Sequence, residues 1–177
     1  MKKRLSLVLA LLMLTSAFAG CSAQSDVPMG LVRASNEIVD YDLFVPDEWT
    51  VDLTGGAVSA VRGEGDNTNI SMMVWNLPHV DTTLEDWWET YRSEFDMIFT
   101  EFTPESTETT MLGGVAANKY VYTAKLADTT YRYTQIAAIR RGSVYLMTVT
   151  ELAAIDEKTA EEHRKDLSEI LEFFRWR

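Results

Sequence analysis

The stretch from Gly113 to Glu151, GGVAANKYVYTAKLADTTYRYTQIAAIRRGSVYLMTVTE, decides the fold. β-Branched and aromatic residues fill three runs in it, Val115–Leu126, Tyr131–Arg141 and Val144–Glu151. The connections Ala127-Asp128-Thr129 and Arg141-Gly142-Ser143 are too short for a crossover, so the three runs return antiparallel as a meander. Tyr120, Tyr122 and Ala124 alternate with Val121 and Thr123, which puts large side chains on both faces of the sheet. Both faces therefore need cover.

Helical periodicity on either side of the meander supplies that cover. Upstream, Leu84, Trp87, Trp88, Tyr91, Phe95, Ile98 and Phe99 recur at steps of three and four, with Glu85, Asp86, Glu89, Arg92 and Glu94 between them. Thr82 with Glu85, or Thr83 with Asp86, forms a capping box at its start. Downstream, Asp156 to Phe174 carries Ala160, His163, Leu167, Ile170, Leu171 and Phe174 along one side, and Arg175-Trp176-Arg177 extends as a short edge strand. The Thr- and Glu-rich stretch from Thr100 to Thr110 reads as a strand and a loop around Pro104.

Nearer the start, Ile38, Tyr41, Leu43 and Val45 alternate until Pro46. Trp49, Val51 and Leu53 resume the pattern before Thr54-Gly55-Gly56, giving an expected first pair of strands. Ala57–Arg62 and Ile70–Leu77 add two more, divided by the polar loop Gly63–Asn69. The sum is one α+β domain over residues 37–177, with a largely antiparallel sheet of six to seven strands flanked by two main helices.

The N-terminal end has a different character. Lys2-Lys3-Arg4 precede an apolar run from Leu5 to Phe18, then Ala19-Gly20-Cys21, the layout of a bacterial lipoprotein signal over residues 1–20. The run is short for a lasting membrane span. In such a signal the Cys21 thiol is acylated and the lipid holds the protein at the extracytoplasmic face of the cell membrane. The competing reading, an ordinary leader cut near Ala19, leaves a lone thiol in an oxidising compartment. Residues 21–36 hold few large apolar side chains and read as a flexible tether.

Without its leader the chain has 157 residues, 13 basic and 27 acidic, for a net charge of −14. That balance repels phosphate backbones and anionic headgroups, so nucleic acid is not an expected partner and membrane attachment falls to the lipid. No cysteine is left for a disulfide, and stability rests on an apolar core.

Chemistry is sparse. His79 reads as a surface histidine and His163 as a core-edge histidine with one hydrogen bond; neither has the partners of a nucleophilic triad. No CxxC or HExxH occurs, so no zinc site is expected. Glu64, Asp66, Asn67 and Asn69 carry calcium-compatible oxygens at spacings that match no EF-hand, and a polar turn is the simpler reading. Gly55-Gly56 and Gly113-Gly114 lack the lysine of a phosphate loop. Tyr131 and Tyr133 share a strand face with Gln135, either as core or as an open surface for a peptide or sugar.

In order along the chain, five pieces resemble the PsbP-like family, which includes DcrB-like bacterial lipoproteins. They are Tyr41-Asp42-Leu43-Phe44-Val45-Pro46-Asp47-Glu48-Trp49, the Trp-rich helix from Leu84 to Phe99, Gly113 through Tyr122, Tyr145-Leu146-Met147-Thr148-Val149-Thr150 and Ile170-Leu171-Glu172-Phe173-Phe174. The resemblance implies a central antiparallel sheet between helices and a role in binding proteins or assisting an assembly, without catalysis and without a cofactor. The expectation is a membrane-anchored, noncatalytic module with a protein partner; the alternative is a lipoprotein receptor passing a small ligand or glycan to a transporter.

Overall fold

The computed structural model describes residues 26–54, 58–63 and 65–177. The leader, Cys21, the first residues of the expected tether, the Gly55-Gly56 turn and Glu64 lie outside them. Eleven strands and two α-helices are present among the described residues: β1 Leu31–Arg33, β2 Tyr41–Asp42, β3 Phe44–Pro46, β4 Thr50–Asp52, β5 Val58–Gly63, β6 Asp66–Asn76, α1 Leu84–Arg92, β7 Glu101–Leu112, β8 Val115–Leu126, β9 Thr129–Arg140, β10 Ser143–Leu152, α2 Glu157–Phe173 and β11 Arg175–Trp176. Seven of the strands form one antiparallel sheet in the order β4-β5-β6-β10-β9-β8-β7.

The meander lies at its centre and on one side, as the sequence requires; β8 has the expected bounds, and β9 and β10 begin one or two residues earlier than expected. Two-residue turns close it: Gly113-Gly114 and Arg141-Gly142 both take positive φ, at 54° and 82° and at 50° and 77°, the backbone that matches the twist of paired strands. A Cβ on Gly113 would come within 2.9 Å of the Trp176 indole nitrogen, so this glycine is required by space as well as by torsion.

Period-two alternation sorts the sheet's side chains onto two faces. Ile70, Met72, Ala117, Ile136, Ala138, Tyr145, Met147 and Val149 face α2 and form the main core with Ile170 and Phe174. Tyr120, Tyr122, Tyr133, Ala137, Val144 and Leu146 face α1.

Four expectations need correction. The first two strands do not pair with each other: Trp49 N donates to the Pro46 carbonyl in a tight turn, which sends β4 to β5, while β3 pairs with β1 and β2 with β11. The tether does not run to Asn36, because Leu31 and Ala34 are buried against the domain and β1 is hydrogen-bonded to it. The polar loop Gly63–Asn69 is a tight hairpin, with Asp66–Asn69 already in β6. Pro104 makes no loop; it sits at a bulge between Pro104 and Ser106 in a continuous edge strand, where a missing N–H is tolerated. The short edge strand expected at Arg175-Trp176-Arg177 is present as β11. It and β1 are tied down by Asp42, whose carboxylate takes Arg33 at 2.5 Å, Arg177 at 2.6 Å and Arg175 at 3.3 Å.

Candidate functional site

On the α1 face the helix begins with the second of the two capping boxes: Thr83 Oγ1 accepts from the Asp86 amide at 3.1 Å, and Asp86 Oδ2 accepts from the Thr83 amide. Asn118 donates to Glu85 at 3.0 Å and ties this first turn to β8. The helix ends at Arg92 rather than running on to Phe99. A 3-10 turn at Phe95–Met97 follows, and the Phe99 amide donates to the Phe95 carbonyl at 2.7 Å. That break lets both phenylalanines face the sheet.

What α1 lays on the sheet is almost wholly aromatic. Trp88 stacks on Tyr120 with ring centres 3.8 Å apart and planes 5° from parallel; Trp87 stacks on Tyr91 at 5.0 Å and Tyr122 on Tyr133 at 5.1 Å. Phe95 is the hub, within 5.7 Å of Trp88, Tyr91, Phe99, Phe102 and Tyr122. Offset and edge-on contacts of this kind add roughly 0.5–1.5 kcal/mol each beyond area burial. Burial pushes the Tyr122 phenol far above its ordinary value, the neighbouring Tyr91 and Tyr133 adding to the shift, and burial raises Tyr91, Tyr120 and Tyr133 too. These phenols are neutral packing groups. Tyr133 and Gln135, the strand face left open between core and surface, are core: Gln135 is 3% exposed and donates to Thr148 at 3.1 Å and to Tyr91 at 3.4 Å.

The aromatic layer is incomplete over the edge strand. Between α1 and β7–β8 runs a half-open groove of about 280 Å³, walled by Trp88, Phe102, Pro104 and Tyr122, with Glu89 and Arg92 at its rim. The Arg92 guanidinium lies 6.0 Å over the Phe102 ring. The bulge at Pro104 shapes the floor of this groove.

The α2 face holds a second cluster, of charges. His163 is buried and both ring nitrogens are engaged, Nδ1 with Glu151 at 2.6 Å and Nε2 with Asp66 at 2.8 Å. It makes two hydrogen bonds where one was expected. Arg62 reaches Asp66 and Asp166 at 2.9 Å and Glu162 at 3.2 Å, and the Trp49 indole donates to Asp166 at 3.3 Å. Burial alone would raise Asp66, yet hydrogen bonds from Thr68, His163 and Arg62 hold its carboxyl well below the usual range. Both ring nitrogens are thus committed to carboxylates of the chain itself. Among the described residues no group of three or more His, Cys, Asp or Glu is placed to hold a metal ion. Of the calcium-compatible residues, Asp66 is committed to Arg62 and His163. His79 is exposed on a loop, where its carbonyl accepts from Thr82.

No family model and no curated relative matches the sequence. Solved structures do match. The solution structure of cyanobacterial PsbP (CyanoP) from Synechocystis covers 91% of this chain and 99% of its own at a TM-score of 0.60. The fold is that of PsbP. Two further structures share the PsbP fold: the Ran-binding protein Mog1p of Saccharomyces cerevisiae, covering 84% of this chain and 96% of its own at 0.57, and LpqN of Mycobacterium tuberculosis, described as involved in cell envelope biogenesis, covering 76% and 82% at 0.52. Identities of 15%, 9% and 15% make this a likeness of fold alone.

Proposed function

We propose that the chain is a noncatalytic, membrane-tethered module that docks a partner protein at the aromatic groove beside α1. One observation carries this reading: the groove of about 280 Å³ is half open, lined by Trp88, Phe102, Pro104 and Tyr122, and sits beside the longest exposed strand of the sheet. Small-ligand sites run from roughly 300 to 1,000 Å³ and enclose most of their ligand. A shallower aromatic slot suits one or two side chains of a partner, with Trp and Tyr as anchors and Arg92 at the rim. The polar hollow of about 340 Å³ beside the N-terminal end of α2 is a weaker candidate, because the charges in its wall, Arg62, Asp66 and Glu162, already pair with one another. The other solved structures with this fold support a binding role by analogy only, one being a Ran-binding protein.

Anchoring rests on Cys21 and the leader before it. The first described residue, Asp26, is five positions beyond Cys21, so acylation would hold the folded domain within roughly 20 Å of the headgroups.

Two measurements test the reading. Intact mass of membrane-extracted protein is expected to show an acylated N-terminal Cys21; an unmodified mature N-terminus elsewhere removes the anchor. A photoreactive side chain at Glu89 is expected to join one partner in native membranes and to lose it in Trp88→Ala, while the same group at Lys158, exposed on α2, joins none. Equal yields from both positions overturn groove docking.

A further inference from the structure

The two edges of the main sheet differ. One is β4, three residues long; the other is β7, twelve residues long and paired on one side only, with β8, among the described residues. An exposed edge presents unpaired N–H and C=O groups at alternate residues, and proteins ordinarily blunt it with lysine, proline, a bulge or a covering segment. On β7 one such device sits at the start, where Pro104 and the bulge interrupt the strand; at its end the buried Leu112 closes the turn to β8 and its carbonyl accepts from the Trp176 indole at 3.0 Å.

Between them, Ser106–Met111 keeps regular register with Ala116–Val121 and contains no proline, lysine or bulge. Five of these six residues are Ser, Thr or Met on exposed or half-exposed positions, and three are threonine, a residue that favours extended backbone. Charge does not guard the edge either. Glu101 is paired with Lys125, Glu105 with Arg132 and Glu108 with Lys119, in each case with a cation of this chain's own sheet. Thr107, Thr109 and Met111 stand on the same face as Tyr120 and Asn118, the face that carries α1 and the groove.

Resting on the docking reading above, we propose that the partner supplies an extended, uncharged strand that adds to the outer edge of β7 over Ser106–Met111. The recognition chemistry is backbone hydrogen bonding, which fixes the partner's conformation and not its sequence. Side chains on alternate residues of the added strand point to the α1 face, and one apolar side chain among them turns into the groove beside Trp88 and Phe102. This combination explains why the groove opens over the edge strand instead of being closed by a longer α1.

The test uses the full-length protein in the membranes of the cell that makes it, with a photoreactive side chain at Glu89, Thr107, Thr109 or Met111, attachment points being mapped by mass spectrometry. The expected result is that the three β7 positions join one partner segment at points stepping by two residues along it. Steps of three and four residues would mark a docked helix and overturn the proposal, as would attachment to β7 of a second copy of this chain. Yield at Glu89 with none from β7 leaves groove docking standing and removes strand addition; no yield at either removes both.

Thr109→Pro and Thr110→Pro form the second arm. Adjacent residues point their amides to opposite edges, so one of the two variants leaves the β7–β8 ladder intact and deletes a donor from the free edge. That folded variant is expected to lose at least ten-fold of the yield at Glu89 and Thr107; unchanged yield overturns the proposal.

Discussion

Under α1 the sheet is covered almost wholly by rings that stack on rings, whereas under α2 a mixed core of aliphatic and aromatic side chains, with Phe174 stacked on Tyr41, fills one end and a chain of ion pairs the other. The difference shows in the helices. α1 is nine residues long and contributes two half-buried tryptophans and one half-buried tyrosine but no fully buried residue; α2 is seventeen residues long and buries His163, Asp166 and Ile170. An aromatic layer needs only ring contact, so its helix can be short and leave a groove. A charge network needs every partner in place, because desolvated charges are tolerated only when paired. The first face is built to tolerate an opening, and the second is not.

The sharpest way to break this contrast is to remove one charge. Arg62→Met removes the cation that Asp66 and Asp166 share, leaving Asp166 only the Trp49 indole and Asp66 only Thr68 and His163, and is expected to cost about 4 kcal/mol, measured by urea unfolding. On the other face, Trp88→Ala loses the stack on Tyr120 but opens onto an existing groove, so a cost of about 3 kcal/mol is expected, at the low end for an aromatic truncation. A larger loss for Trp88→Ala than for Arg62→Met would reverse the comparison.

Titration separates the faces further. Asp66 is held below its ordinary value in the folded chain, so it contributes stability above about pH 4 and loses that contribution as pH falls through the folded value. Asp66→Asn is expected to cost about 2 kcal/mol at pH 7, and the gap to the parent protein should close on acidification below about pH 4. Tyr122 has the opposite sign. Its folded value is raised by burial, so its stabilising contribution is complete below about pH 10 and declines as pH rises beyond it. Tyr122→Phe should therefore shift the alkaline unfolding midpoint upward and leave the acid limb unchanged. Tyr41, raised by burial within the α2-side core, provides a second alkaline-sensitive phenol there. The acid limb draws on Asp66 and also on Asp42, which burial alone would raise but which Arg177, Arg33 and Arg175 hold below its ordinary value.

The framework was legible because it depends on local periodicity: the meander turns, the capped start of α1, the amphipathic α2, the C-terminal edge strand and the PsbP-like order of pieces can be read along one segment at a time. The misreadings are non-local. Whether Tyr41–Asp42 pairs with the next strand or with Arg175–Trp176 is set by a partner more than 130 residues away. The charge network had a signal that was missed: Arg62 continues the inward alternation of Val58 and Ala60, and Glu151 that of Met147 and Val149, while Asp166 follows His163 by one helical turn. Charged residues at inward positions imply partners opposite them. The groove had no comparable signal, since it depends on α1 stopping at Arg92 and on Pro104 forming a bulge instead of a loop, and neither follows from periodicity.

The smallest expected effect tests whether α1 is held independently of the rest. Thr83→Ala removes the side chain that accepts from the Asp86 amide and is expected to cost about 1 kcal/mol. Because α1 buries no residue fully and is held by half-buried side chains and a few side-chain hydrogen bonds, that loss should be local: amides over Leu84–Arg92 exchange about five-fold faster, while those of α2 and the central strands keep their parent rates. A uniform rise across the whole domain would mean that α1 opens only with global unfolding. In that case the groove would be as rigid as the charged face, and an incoming partner would have to fit its shape as it stands instead of prising the helix from the edge strand.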